Sequence, residues 1–208
     1  MTRAPRLEFH PLTPERWPDL EALFGPRGAC GGCWCMTWRR RRPDFEANKG
    51  IGNKRAFKKI VTANQQPGVI AYCKGEPVAW CAIAPRSVYV SLERSRVLKL
   101  VDDQPVWSIT CLFIRRDFRR RGVSSLLIKA AVKFAAGRGA KIIEGYPVEP
   151  YTAAMPDAFA WTGIPASFHK AGFTEIARRS KTRPIMRKGV STNSRRRIVG
   201  KRSEGGAR

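Results

Sequence analysis

Acidic residues are scarce in this chain: 16 Asp and Glu stand against 40 Lys and Arg in 208 residues, a formal net charge of +24. That imbalance excludes no fold, but it directs attention to polyanions, acidic surfaces and phosphorylated ligands as partners. Long apolar runs are lacking too. No segment approaches the roughly 18 uncharged apolar residues a membrane span needs. The opening MTRAPRLEFHP offers no apolar stretch that could serve as a signal peptide. The expectation is a soluble, cytoplasmic protein without a membrane span, in which the six cysteines are thiols or metal ligands rather than disulfides. Internal repeats are missing, as are the loops GxxxxGK(S/T) and GxGxxG, and any helix-turn-helix, zinc-finger or RNP pattern. The pattern therefore does not suggest nucleoside triphosphates, dinucleotides or the common nucleic-acid modules. Core-forming residues are not lacking: 43% of the chain is hydrophobic, with six Trp and ten Phe, enough for one packed domain.

The charge is unevenly placed. Arg187 to Arg208 carries eight basic residues and one acid among Gly, Ser, Thr and Asn, so residues 1–186 are expected to fold and 187–208 to form a disordered basic tail. Within the folded part, Thr13-Pro14 marks a helix start running to about Phe24. A Gly/Cys-rich loop covers Gly25 to Pro43, and Phe45 to about Ala63 reads as a helix with a basic face. Gly68–Cys73 and Pro77–Ala84 read as a hairpin turning at Lys74-Gly75-Glu76. Arg86 to Gln104 is unassigned. Val106 to Ile114 has nine residues without a charge and reads as a buried central strand. From Ser124 the apolar positions recur at helical spacing until Gly137, and Lys141–Pro147 is a further strand. Strand, helix and strand in this spacing make a βαβ unit with a right-handed crossover.

The turn inside that unit is Arg119-Arg120-Arg121-Gly122-Val123-Ser124. Unpaired N–H groups at a helix start and the helix dipole make such a turn an anion site. Gly122 allows close backbone approach, Ser124 can cap the helix, and the arginines add full charges. Preceded by Leu112-Phe113-Ile114, this run resembles the acetyl-CoA motif of the GNAT N-acetyltransferase superfamily, written Gln/Arg-x-x-Gly-x-Gly/Ala after an LxV strand. Arg119, Gly122 and Ser124 occupy its three fixed positions, the last as Ser. Ser167-Phe168-His169-Lys170-Ala171-Gly172-Phe173 resembles the later motif LYxxxGF. The resemblance implies an α/β fold with a mixed, mostly antiparallel sheet, a splayed parallel strand pair and flanking helices. It implies acetyl-CoA as co-substrate, with no metal, and acetyl transfer to an amine of a small molecule or peptide by direct attack in a ternary complex. By the same resemblance, backbone N–H groups from Arg120 to Ser124, Arg121 and Val123 included, would hold the pyrophosphate. The edge of Leu112, Phe113 and Ile114 would pair with the pantetheine arm, and one N–H would polarise the thioester carbonyl.

The sequence departs from that pattern at Phe168, where the family often has a Tyr that protonates the departing thiolate. His169 is adjacent but points about 100° away on a helix. Glu144 and Tyr146, on one face of the second strand, and Glu149 just beyond it are the candidate acid–base residues. A Glu in an apolar strand has either a task or an arginine partner. Glu149 to Ile164 is longer than a connection requires and is a lid or ordinary packing. Cys30, Cys33 and Cys35 lack a fourth ligand for tetrahedral zinc, which leaves metal, redox and structural readings open. By family topology this loop borders the acceptor, so Trp34, Met36 and Trp38, together with Trp161 of the Glu149–Ile164 stretch, are candidate substrate-binding residues. Strong positive charge disfavours a polycationic acceptor and tolerates acidic metabolites or a peptide amine. The alternatives are a basic nucleic-acid-binding protein and a CoA-binding fold without catalysis. An acidic partner or nucleic acid on the tail and a homodimer are further expectations.

Overall fold

The uncharged run at 106–114 becomes β4 (Trp107–Ile114), the central strand of a seven-stranded sheet ordered β1-β2-β3-β4-β5-β7-β6. The computed structural model describes residues 5–150 and 155–190. The other strands are β1 (Glu8–Pro11), β2 (Gly68–Cys73), β3 (Glu76–Pro85), β5 (Ile142–Gly145), β6 (Thr174–Arg178) and β7 (Pro184–Gly189). Every neighbouring pair is antiparallel except β4 with β5. That parallel pair is joined by α5 (Val123–Ala136), the crossover helix expected of the βαβ unit.

Two irregularities shape the centre of the sheet. The β3–β4 register passes from Ala82↔Cys111 to Ile83↔Ile109, leaving Thr110 as an extra residue in β4. Such a bulge bends its strand and re-aims the groups beside it. On the other edge of β4, the ladder to β5 ends at Ile109↔Gly145 although β4 continues to Ile114. The two strands therefore part just beyond the bulge.

Strand alternation divides the core. Ala79, Cys81 and Ile83 of β3 join Leu127, Ile128, Ala131 and Ala135 of α5 on one face, with Phe168 of α6 (Pro165–Lys170). Trp80 and Ala82 face the other way, into a layer made by α1 (Trp17–Phe24), α3 (Ile51–Thr62) and the cysteine loop. The helix expected from Phe45 to Ala63 divides in two: α2 (Arg42–Ala47) ends at Asn48, and Gly50, at φ 82°, turns the chain into α3. The unassigned stretch holds α4 (Val90–Glu93), anchored by Arg86, which donates to the carbonyls of Leu92 and Leu98. The tail boundary shifts as well. Arg187 and Lys188 lie in β7 rather than in a tail, because Ile142 and Ile143 of β5 pair with that part of the strand. The basic stretch from 191 onward lies outside the described residues. Among the described residues no helix is long and apolar enough to cross a membrane.

Candidate active site

Where β4 leaves β5, a groove of about 460 Å³ opens between the end of β4, the start of α5 and the chain leading into α6. Its size is that of a small-molecule site. Leu112, Phe113, Ile114, Arg119, Arg120, Gly122, Val123 and Ser124 all line it, so eight of the nine expected cofactor residues come together. Arg121 is the exception; it is exposed and its guanidinium lies 5.7 Å from the centre of the Phe118 ring.

The turn is built to present backbone donors. Arg120 and Gly122 both adopt left-handed backbone angles, φ 58° and 74°. A side chain at Gly122 would meet nothing within 4 Å, so the glycine answers to the backbone angle and leaves open space before the helix start. No side chain caps α5, and its first turn holds no acid. Ser124, expected as the cap, is already inside the helix, where its hydroxyl bonds that of Ser167 at 2.8 Å. Arg119 donates through Nε to the Ile114 carbonyl at 3.0 Å, tying the turn to the strand it follows.

The far wall comes from residues 155–164. Met155, Ala158, Ala160, Trp161, Gly163 and Ile164 line the groove. The Trp161 carbonyl accepts the Leu112 N–H at 2.7 Å, and the Gly163 carbonyl accepts the Val148 N–H at 2.9 Å. The segment thus bridges β4 and the chain beyond β5 in the opening between them, occupying the Leu112 donor that the family resemblance reserves for the coenzyme. Phe168 holds this closure from below. It is wholly buried and stands edge-on to Phe173 at 5.2 Å. Its ring fills the space beside Gly163, where an added Cβ would lie 2.8 Å from it and 2.9 Å from Leu112 Cδ1. Phe168 is therefore a packing residue with no proton to offer.

The expected acid–base residues are found elsewhere. Glu144 and Tyr146 do share a face, but they belong to a closed network. The Tyr146 hydroxyl donates to Glu144 Oε2 at 2.9 Å, and it accepts from Arg86 at 2.9 Å. The Ser108 hydroxyl lies 2.8 Å from it. Arg187 donates to Glu144 Oε1 at 2.7 Å and also pairs with Asp102. Glu144 is 1% exposed. Burial, first, and the Glu144 charge, second, push the Tyr146 phenol far above its usual range. This is the structural ion pair that the sequence allows for Glu144, and neither residue lines the groove. Glu149 accepts from Arg178 at 3.0 Å on the surface. Of the expected acceptor residues, Trp161 lines the groove. Trp34 and Met36 do not, being buried in the core; Trp34 packs at 5.9 Å from Trp17 and 5.6 Å from Phe24. The cysteine loop instead contributes Ala29 and Cys30 to the groove, a contribution that the aromatic-rich pattern conceals. Cys35 and Cys111 are buried, and the Trp80 indole N–H donates to Cys35 Sγ at 3.1 Å. Among the described residues no group of three or more His, Cys, Asp or Glu could hold a metal ion.

Comparison with known proteins places this geometry. The family model described as Acetyltransferase (GNAT) family matches residues 34–156, more than half of the chain. No curated protein sequence matches significantly. Solved structures do. A GNAT-family acetyltransferase of Listeria monocytogenes superposes with a TM-score of 0.56 at 9% identity, covering 91% of this chain and 99% of that one. One from Streptococcus agalactiae gives 0.54 at 12% identity, covering 89% and 96%. The PaiA N-acetyltransferase of Thermoplasma acidophilum, solved in complex with coenzyme A, gives 0.50 at 12% identity, covering 89% and 99%. At these identities the likeness is one of fold.

Proposed function

The chain belongs to the GNAT acetyltransferase family, and from that premise we propose that it is an N-acetyltransferase that binds acetyl-CoA in the groove beside β4 and passes the acetyl group to an amine in a ternary complex. The observation that carries this reading is the meeting of three features at one place: the bulge at Thr110, the parting of β4 from β5, and the left-handed turn at Arg120 and Gly122 before α5. The residues fit the coenzyme. Arg120 and the uncapped N–H groups at the start of α5 suit a pyrophosphate, and the apolar side of the groove, from Leu112 to Ile114 and Ile164, suits a pantetheine arm.

Bound there, acetyl-CoA supplies an activated acyl carbonyl for attack. The chain's part is to orient and polarise. Leu112 N–H is the donor this reading assigns to the carbonyl oxygen, so Trp161 must release it as the coenzyme enters, and a preorganised N–H at that point favours the charge that builds on the oxygen. With Phe168 buried, the thiolate leaves without a tyrosine; a thiol pKa of about 8.5 makes it a fair leaving group, and the paired hydroxyls of Ser124 and Ser167 are among the polar side chains that line the groove. Of the three acid–base candidates, Glu149 keeps contact with solvent, and this reading gives it removal of the amine proton through water.

The test is release of free CoA from acetyl-CoA in the presence of amines. Acetyl-CoA binding with amine-dependent release supports the enzyme. Binding without release for any amine would leave a coenzyme-binding protein, and no binding at all would remove the family's chemistry from this chain.

A further inference from the structure

Across Trp161 from the groove lies a second cluster whose polar groups are nearly all donors. The Trp161 ring packs against Trp38 at 5.9 Å. Next to Trp38, the Arg39 guanidinium sits over the Tyr89 ring, 4.9 Å from its centre. Next to Trp161, Thr162 accepts from Arg183 Nη1 at 3.3 Å. Two side-chain groups in this cluster are shielded from solvent and have no hydrogen-bond partner: the Trp38 indole N–H and Arg39 Nε. Native proteins seldom leave neighbouring buried donors unpaired. Indole and guanidinium groups can only donate, so the missing partner is an acceptor.

That acceptor should carry negative charge. Neither Arg39 nor Arg183 has a carboxylate within ion-pair distance among the described residues, because the acids of this region are committed elsewhere. Glu93 pairs with Arg86, Glu144 and Asp102 with Arg187, and Glu149 and Glu175 with Arg178. Burial by itself pushes the Arg183 pKa down, so its charge stands partly desolvated without compensation. The position is also telling. Thr110, the bulge residue of β4, hydrogen-bonds the Tyr89 hydroxyl, which sets the cluster beside the point where β4 and β5 part. An amine attacking a thioester held along β4 must stand there.

We propose that the acceptor is a small amine that carries its own anionic group, a carboxylate or a phosphate, held by Arg39 and Arg183 beside the Trp38–Trp161 ring pair. The flat rings accommodate the carbon part of such a molecule, and the two guanidinium forks match the geometry of either anion. This rests on the N-acetyltransferase reading and narrows its substrate class. Nucleic-acid phosphates do not fit, since the donors are half-buried rather than displayed on a surface.

The experiment is calorimetric titration of the CoA-bound, full-length protein with L-amino acids, the matching carboxamides and aminoalkyl phosphonates, which reads recognition without turnover. Acids are expected to bind at least about tenfold more tightly than their amides. The ratio of carboxylate to phosphonate affinity tells the two anions apart. Arg39→Gln and Arg183→Gln should each weaken acid binding by about ten- to a hundredfold, the range for a hydrogen bond to a charged group, bringing the acid-to-amide ratio towards one, and Arg183→Lys should recover part of the loss. Amides that bind as well as acids, or substitutions that weaken both alike, would overturn the proposal. Should a variant fail to fold, the acid-to-amide ratio of the unaltered protein decides alone. Acid preference without acetyl transfer would count against the enzyme reading only, and transfer without acid preference against this inference only.

Discussion

Two arginine-rich places flank the central strands, and they use charge in opposite ways. Behind β5, Arg86 and Arg187 are absorbed by Glu93, Glu144 and Asp102, with the Tyr146 hydroxyl closing the network. At the β4–α5 turn, Arg120 stands exposed on the rim of a groove, and the helix start beside it has no capping side chain. The first arrangement is finished without a ligand; the second has donors to spare. Density of arginine therefore says little about function until one asks which guanidinium groups already have their anion.

The contrast can be broken first at its closed side. Glu144→Leu strips the network of its buried acid, takes the acceptor from the Tyr146 hydroxyl and leaves Arg187 with Asp102 alone, so it should destabilise the protein by about 3–5 kcal/mol, read as a lowered denaturation midpoint. A variant that kept its stability and lost turnover would instead make Glu144 a catalytic group. Glu149→Gln, outside that network, should keep the fold and lower kcat by about a hundredfold if Glu149 takes the amine proton; equal turnover would assign the step to solvent. Labelling sharpens the open side. Cys30 is exposed and lines the groove, while burial pushes the Cys33 thiol up to about 11. Alkylation at neutral pH should therefore strike Cys30 before Cys33 and slow several-fold with acetyl-CoA present; a rate indifferent to acetyl-CoA would put Cys30 outside the bound site. The smallest effect is one of pH. Hydrogen bonds from Arg187, Arg115 and Arg178 hold Asp102, Asp117 and Glu175 below the ordinary carboxylate range. Their contribution is complete above the unfolded carboxylate values, near pH 4, and is lost as pH falls through the lower folded values. A thermal midpoint that dropped on the alkaline side instead would contradict these pairings.

What could be read from the sequence was local. The uncharged run at β4, the helical spacing after Ser124 and the glycine between them each report one stretch of chain, and together they define the groove's cofactor wall. The parts that were not legible depend on residues far apart in sequence. Trp161 meets Leu112 across 49 positions to occupy its N–H, and Arg187 reaches Glu144 from a stretch whose composition reads as tail. Trp34 looks like a pocket residue from its neighbours, yet Trp17 and Phe24 on α1 take it into the core. The short strands β6 and β7 follow the same logic: β6 is largely exposed, and its pattern lacks the apolar run that announced β4.

The central claim is that the turn at Arg120–Gly122 binds the phosphates of acetyl-CoA. Calorimetric titration of acetyl-CoA into the protein and into Arg120→Glu, at two salt concentrations, tests it most directly. The account predicts one-to-one binding that weakens with salt and falls by at least about tenfold with the reversed charge, the equivalent of about 1.4 kcal/mol. Absence of binding to the unaltered protein, or binding that ignores both salt and the Arg120→Glu change, would contradict it.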